Sequence, residues 1–141
     1  MNVQARRWLE QAWHDLDAAL QTADIDLPDV ALILCQQAVE KGLKALYIAQ
    51  TNQLPPRVHS IERLADMTAM RSQLESALLE LEDYYTRLRY PDFAGPLPFE
   101  LAKAQDADQA IELAQDALVA IRREIDALAD ELTDDAEQED G

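Results

Sequence analysis

Residues 28–50 form the stretch that most restricts what this chain can fold into. The run opens on a proline, continues as DVALILCQQAVEKGLKALYIAQ, and stops before the proline-containing segment 52–56, which cannot continue a helix. Its first half is apolar nearly all round, and a helix of that kind lies at the centre of a bundle or at a seam between subunits. We therefore expect a bundle of helices built around this segment.

Helical spacing of apolar residues predicts further helices on both sides of this run. They span residues 3–22, 59–70, 72–87 and 106–132, whereas three prolines and a glycine make residues 88–104 a loop. Long segments rich in Ala, Leu, Glu and Gln with almost no Gly favour helices, because their straight side chains lose little rotamer freedom there. The expected fold class is all-α, an up-and-down bundle of four to five helices.

Two details of these helices can be checked directly. Ser72 and Glu75 have the spacing of a capping box for the fourth predicted helix, whose inner face carries Leu78 and Leu81. In the first predicted helix the periodicity places Asp15 mostly on the outer side, away from the apolar stripe.

The net charge of −16 limits the partners that this chain can bind. Phosphate backbones are bound by Lys and Arg, so DNA is not expected as a ligand, although a local basic site for RNA or a nucleotide stays open. A basic partner is favoured electrostatically. Residues 133–141 carry five of the acids, have almost nothing to bury and are expected to be a disordered tail, which leaves −11 on a single domain, residues 1–132.

The single cysteine, Cys35, lies in the apolar run and is interpreted as a buried small hydrophobe, not a reactive thiol. No cluster of Cys and His has the spacing of metal ligands, so neither a metal nor another cofactor is expected. The first residues lack the apolar stretch of a signal peptide, and no apolar run approaches the length of a membrane span. These observations predict a cytoplasmic protein that does not associate with a membrane.

The segment CQQAVEKGLKAL at residues 35–46 resembles the hallmark helix of HEPN domains. Four other segments resemble parts of that family in the same order along the chain: WLEQAWHDLDAA at 8–19, PPRVHSIERL at 55–64, the Tyr-x-x-x-Arg-Tyr-Pro-Asp segment at 85–92, and Asp-Ala-x-x-Ala at 106–110. One Ala- and Leu-rich helix is weak support, since any bundle can supply it. Five ordered segments across residues 5–130 are specific.

The resemblance implies a bundle that pairs as a homodimer. Many HEPN proteins are encoded beside a minimal nucleotidyltransferase and form a toxin–antitoxin pair with it, so such an enzyme is an expected partner. Many are also metal-independent ribonucleases, in which an Arg is followed four to six residues later by a His near the dimer interface.

This chain departs from that nuclease pattern. No His follows Arg89, and a single residue separates Arg57 from His59. Arg7 and His14 have the right separation, but they lie in the first helix, where seven positions amount to about 10 Å of rise. We interpret that match as coincidence, and the nuclease prediction is weakened accordingly.

The resemblance and the chemistry of the side chains together select a short set of candidate residues. His59 and Arg89 are the candidate catalytic pair, and the candidate ligand-binding residues are Arg57, Tyr85, Tyr90 and Asp92. His can exchange protons near neutral pH, Arg can clamp an anion, and tyrosines can stack on a base. The structural alternatives are a helix cap or a hydrogen bond across the connector at His59, a surface ion pair at Arg57, and an Arg89–Asp92 pair that pins the loop while the tyrosines pack into the bundle.

Three functions remain open at this point. The leading one is a homodimeric binding or regulatory module for a nucleotide or RNA, which can be the toxin partner of a nucleotidyltransferase. The alternatives are a metal-independent endoribonuclease that uses Arg89 and His59, and a dimerisation scaffold without a ligand. Glu40 and Lys44 have i, i+4 spacing and are interpreted as a structural salt bridge.

Overall fold

The computed structural model describes residues 1–91 and 95–140 of the chain, without the side chains of residues 85, 86 and 132–140. Every regular element within these ranges is a helix. In chain order they are α1 (Val3–Asp24), α2 (Pro28–Thr51), α3 (Ile61–Met67), α4 (Glu75–Leu81), α5 (Tyr84–Arg87), α6 (Pro98–Leu101) and α7 (Ala104–Asp140). The predicted fold class is confirmed.

The three long helices form the centre of the bundle. α2 lies against both α1 and α7, and α1 also contacts α7. α2 and α7 approach closely at Gly42, where an added Cβ would lie 2.6 Å from Cδ2 of Leu118 on α7. Burial raises the pKa of the Cys35 thiol to about 12, which confirms the interpretation of this residue as a buried hydrophobe. Within the described ranges, no helix is both long and apolar enough to cross a bilayer.

The fourth predicted helix differs from the structure. It is divided into α4 and α5, and Leu74 caps α4 without a side-chain hydrogen bond, so the predicted capping box at Ser72 and Glu75 is wrong. The N–H of Leu74 instead bonds to the carbonyl of Met70 in the preceding turn. The inner face of α4 is nevertheless buried as predicted. α6 adds one helical turn inside the predicted loop, with Pro98 at its first position, where its missing N–H costs nothing.

The turn after α3 has a backbone conformation that is unusual for its sequence. The N–H of Met70 donates to the carbonyl of Ala65 at 2.8 Å, and the N–H of Ala69 donates to the carbonyl of Asp66 at 3.4 Å. This pair of bonds defines a Schellman motif, whose central residue adopts the left-handed conformation and is usually glycine. Here it is Ala69, with φ of 61°, so the turn carries strain that a glycine would remove.

The backbone of α7 continues to Asp140. The described contacts connect α7 to the rest of the bundle through α1, α2 and α4. The division into a domain at 1–132 and a disordered tail at 133–141 stays a prediction.

Candidate functional site

A row of buried polar side chains runs along α2. Gln36, Glu40 and Lys44 are spaced four residues apart, so they lie on one face of the helix, and all three are buried. We call these three residues the α2 polar row. Polar groups and, above all, charges are costly to remove from water, so each member of such a row needs a partner.

Glu40 is the centre of the row. Its carboxylate lies 3.2 Å from Nζ of Lys44 and 3.4 Å from Nδ1 of His59. The Lys44 ammonium lies 5.6 Å from the centroid of the Trp8 ring on α1, within the range of a cation–π contact. The predicted Glu40–Lys44 salt bridge is therefore present, and its carboxylate also faces an imidazole.

The connector, residues 52–60 between α2 and α3, is held in place beside Glu40. Nε2 of Gln36 donates to the carbonyl oxygen of His59 at 3.2 Å. The cap of α3 is Ser60, which accepts from the N–H of Arg63 at 3.2 Å, so the alternative in which His59 caps this helix is wrong. Ser60 donates in turn to Oε1 of Glu82 at 2.5 Å. The connector is thus tied to α2 on one side and to the end of α4 on the other.

The imidazole of His59 stays accessible despite these ties. Its side chain is 57% exposed. Arg57, two residues earlier on the same connector, is also exposed. An imidazole positioned by a carboxylate can donate a hydrogen bond or carry a proton, and an arginine beside it can hold a phosphate. Among the residues that the structure describes, no three His, Cys, Asp or Glu side chains converge as metal ligands.

The remaining candidates follow α4. Arg89 is half-buried and Tyr90 is exposed, both just beyond α5. The side chain of Tyr85 and all of Asp92 lie outside the described residues. The Ser60–Glu82 bond brings the connector to the beginning of this segment. That His59, Arg57, Arg89 and Tyr90 share one cleft stays a prediction.

A second ion pair, with a buried acid and a half-buried base, lies between α1 and α2, and sequence reasoning missed it. Nζ of Lys41 is 2.5 Å from Oδ2 of Asp15, whose other oxygen accepts from Nε2 of Gln11 at 2.9 Å. Asp15 is buried, so its predicted place on the outer side of the first helix is wrong. It lies on the flank of α1 that faces α2. The one signal in the sequence was Lys41 itself, because a lysine in the middle of the apolar helix α2 needs an acidic partner.

An open hollow of about 640 Å³ lies along α1 next to this pair, and Lys41 is the residue of α2 that lines it. Its lining includes Trp8, Lys41, Arg7 and His14. The last two are the pair that the sequence analysis set aside as coincidence. The structure places both on the wall of one hollow, and their separation along α1 spreads them over two turns of that wall.

A family model and two crystal structures match this chain over most of its length. The family model of the HEPN domain matches residues 5–124. The crystal structure of TT1696 from Thermus thermophilus is similar with a TM-score of 0.77 and 31% identity, covering 88% of this chain and 99% of that one. The crystal structure of ST0689, an archaeal HEPN homologue, is similar with a TM-score of 0.73 and 30% identity, covering 89% of this chain and 99% of that one. No curated protein matches this chain significantly.

Proposed function

This chain belongs to the HEPN domain family, and from that premise we propose that it is a homodimeric module that binds RNA or a nucleotide where the connector crosses α2. One observation carries the proposal: His59 is exposed, yet its backbone is held by Gln36 and its ring by Glu40. Ordering a side chain costs conformational entropy, so a histidine that is positioned before binding favours recognition of a ligand.

The charges near the connector support an anionic ligand. Arg57 is exposed two residues before His59, in a chain whose net charge is otherwise strongly negative. Tyr90 exposes an aromatic ring, which can stack on any base. A phosphate held by Arg57 and a base stacked on Tyr90 would combine the two contacts that single-stranded RNA offers.

The dimer is proposed along the outer stripe of α2. Val30 is exposed and Ile33, Leu34 and Gln37 are half-buried, at the helical spacing of a single face. A second copy on this stripe would cover apolar surface and bring two connectors to one interface. In the proposed toxin–antitoxin arrangement, a minimal nucleotidyltransferase silences the dimer by covering or modifying the cleft.

Binding is tested by fluorescence anisotropy with labelled single-stranded RNA and by calorimetric titration with the common nucleotides. We expect Arg57→Ala and His59→Ala each to weaken binding about tenfold, since each removes a contact to the phosphate. Arg123→Ala, which removes an equal charge from the exposed surface of α7, is the matched control and should bind as the parent does. If the control loses as much affinity, binding reflects overall charge and the proposed site is wrong. Flat titrations for RNA and every nucleotide would instead favour a ligand-free scaffold.

A second candidate function is the metal-independent endoribonuclease, and the His59–Glu40 contact favours it. A carboxylate beside an imidazole is the usual way to orient a general acid or base. Under this hypothesis Arg89 stabilises the phosphate, and RNA is cleaved in the presence of EDTA. His59→Ala and Arg89→Ala should then abolish cleavage, whereas Arg123→Ala should not. Absence of cleavage by the parent protein under all conditions would reject this function and leave the binding module untouched.

The dimer has an independent measurement. Sedimentation at micromolar concentration should give about twice the chain mass of 15.9 kDa, and Leu34→Asp should shift the protein towards the monomer by placing a charge in an apolar seam. A species of a single chain's mass in the parent protein would show that the outer stripe of α2 is not the interface.

A further inference from the structure

A second hollow, of about 520 Å³, lies between α3 and α4. Its floor is apolar and its rim is acidic. The buried Ala65 and Leu78 form the floor, the exposed Ala69 and Leu79 lie at its edge, and the rim carries Glu62, Asp66, Glu75, Ser72 and Arg71. We call this the α3–α4 hollow. It shares no lining residue with the hollow along α1 or with the connector.

The rim already holds one guanidinium group. Arg71 contacts Asp66 through two nitrogens, Nε to Oδ1 and Nη2 to Oδ2, the second at 2.8 Å. Nη1 of the same arginine is 3.1 Å from Oε1 of Glu62. Such a two-point contact is the strongest geometry between arginine and a carboxylate, and it holds the pKa of Asp66 below its usual range. The carboxylates on this rim are therefore arranged to receive a guanidinium.

The rim is not neutralised by this arginine. Glu75 adds a third carboxylate to the rim, which leaves acids in excess in a chain of net charge −16. RNA phosphates and anionic lipids would be repelled there. A cationic group would be attracted, and its approach would be accelerated by the field of the whole molecule.

The floor adds apolar contact area at the same place. Leu79 on α4 is 75% exposed, an unusual environment for a leucine that stands beside a hollow. Scattered exposed hydrophobic residues need no explanation, but apolar surface rimmed by charge is typical of protein–protein contact sites.

We propose that the α3–α4 hollow is a docking site for a basic, amphipathic helical segment of a partner protein. Apolar side chains of that segment cover Leu79 and the floor, and its Arg or Lys side chains pair with Glu75 and with the carboxylates that Arg71 now occupies. The amphipathic helix is the occupant because a short apolar floor between acidic walls matches an apolar stripe flanked by cations. This surface is separate from the connector and does not depend on RNA or nucleotide binding.

The test uses the full-length protein and a synthetic peptide of about 18 residues, which is about five helical turns. The peptide carries Leu at i, i+3, i+4 and i+7 with Arg on the flanks, and a second peptide replaces each Arg with Glu. We expect the Arg peptide to bind saturably at one site and to shift the amide signals of Ala65, Ala69 and Leu79. Leu79→Asp and Glu75→Lys should each weaken binding at least about tenfold. Both side chains are exposed, so both variants should keep the parent's helical circular dichroism.

The matched control is Glu112→Lys, which makes the same charge change as Glu75→Lys on the exposed surface of α7. Unchanged affinity in this control, together with no binding of the Glu peptide, supports the docking site. Equal weakening in Glu75→Lys and Glu112→Lys would mean that only overall charge is being measured, and it overturns the proposal. So would signal shifts confined to other helices, or a failure to saturate at about 1 mM peptide.

Discussion

Two ion pairs with the same spacing lie in contrasting parts of this molecule. Glu40 and Lys44 on α2 are 3.2 Å apart, and Asp83 and Arg87 at α5 are 2.8 Å apart. Both are i, i+4 pairs, with the acid preceding the base. The side chains of the first pair are 10% and 7% exposed, whereas those of the second are 62% and 52% exposed. Distance alone would rank the second pair as the stronger, but burial decides what each pair does.

The buried pair fixes structure. Because its charges have lost water, each must keep its partner, and the partners of Glu40 extend from α2 to the connector through His59. Asp15, which is buried, keeps the half-buried Lys41 as its partner between α1 and α2. The exposed pair is solvated, so its members can separate at little cost. The charges between α1, α2 and the connector are thus bound to partners inside the bundle, whereas the charges of the Asp83–Arg87 pair remain in contact with water.

The largest expected effect is at Lys44. Lys44→Met leaves the carboxylate of Glu40 buried without its ammonium, and the free energy of unfolding should fall by about 3 kcal/mol. The matched substitution Arg87→Met at the exposed pair should lower it by no more than about 0.5 kcal/mol. Urea denaturation of both variants measures the difference.

A double variant separates burial of a charge from loss of contact. Glu40→Leu with Lys44→Met removes both charges, so most of the lost stability should return. If the double variant is as unstable as Lys44→Met alone, the lost contact of the ammonium with Trp8, and not the carboxylate that has lost its ammonium, sets the cost. Similar losses in Lys44→Met and Arg87→Met would contradict the comparison between the two regions.

A smaller effect of opposite sign is expected in the turn after α3. Ala69→Gly should raise the free energy of unfolding by about 0.5–1 kcal/mol, because glycine adopts the left-handed conformation of this turn without strain. The same substitution at Ala127, exposed on α7, should lower it by about 1 kcal/mol through lost helix propensity. Thermal unfolding of the two variants should therefore shift in opposite directions. A loss of stability in Ala69→Gly would show that the turn is not strained.

The same contrast explains how far the sequence could predict the structure. α1 and α2 were predicted to within two residues at each end, since apolar spacing and the proline segment after α2 are local signals. The break between α4 and α5 was missed. Next to this break, Glu82 accepts from Ser60 and from the N–H of Ile61. Those partners are more than twenty residues away, and no periodicity within residues 72–87 records them.

The candidate site shows the same limit. Glu40 and Lys44 were paired correctly because four residues of helix bring them together. The contact of Glu40 with His59 and the burial of Asp15 depend on how α2 meets the connector and α1. Residue types identified the participants, but only the arrangement of the helices shows which carboxylate faces which cation.

The smallest effect is expected at Arg71, on the rim of the α3–α4 hollow. Arg71→Gln should lower the free energy of unfolding at neutral pH only slightly, since the side chains of Arg71, Asp66 and Glu62 are all solvated. The substitution is detected by the titration of Asp66. Arg71 holds the pKa of this carboxyl below its ordinary value of 3.8. A pKa that is lower in the folded protein adds stability above the ordinary value, and that stability is lost as the pH falls through the lowered one. The small difference in stability between the two proteins should therefore be present at neutral pH and vanish in strong acid, and carbon NMR of the Asp66 carboxyl should show its pKa rising in Arg71→Gln. If Asp66 titrates alike in both, its carboxylate does not hold the guanidinium in solution, and the rim is open to a partner without displacing Arg71.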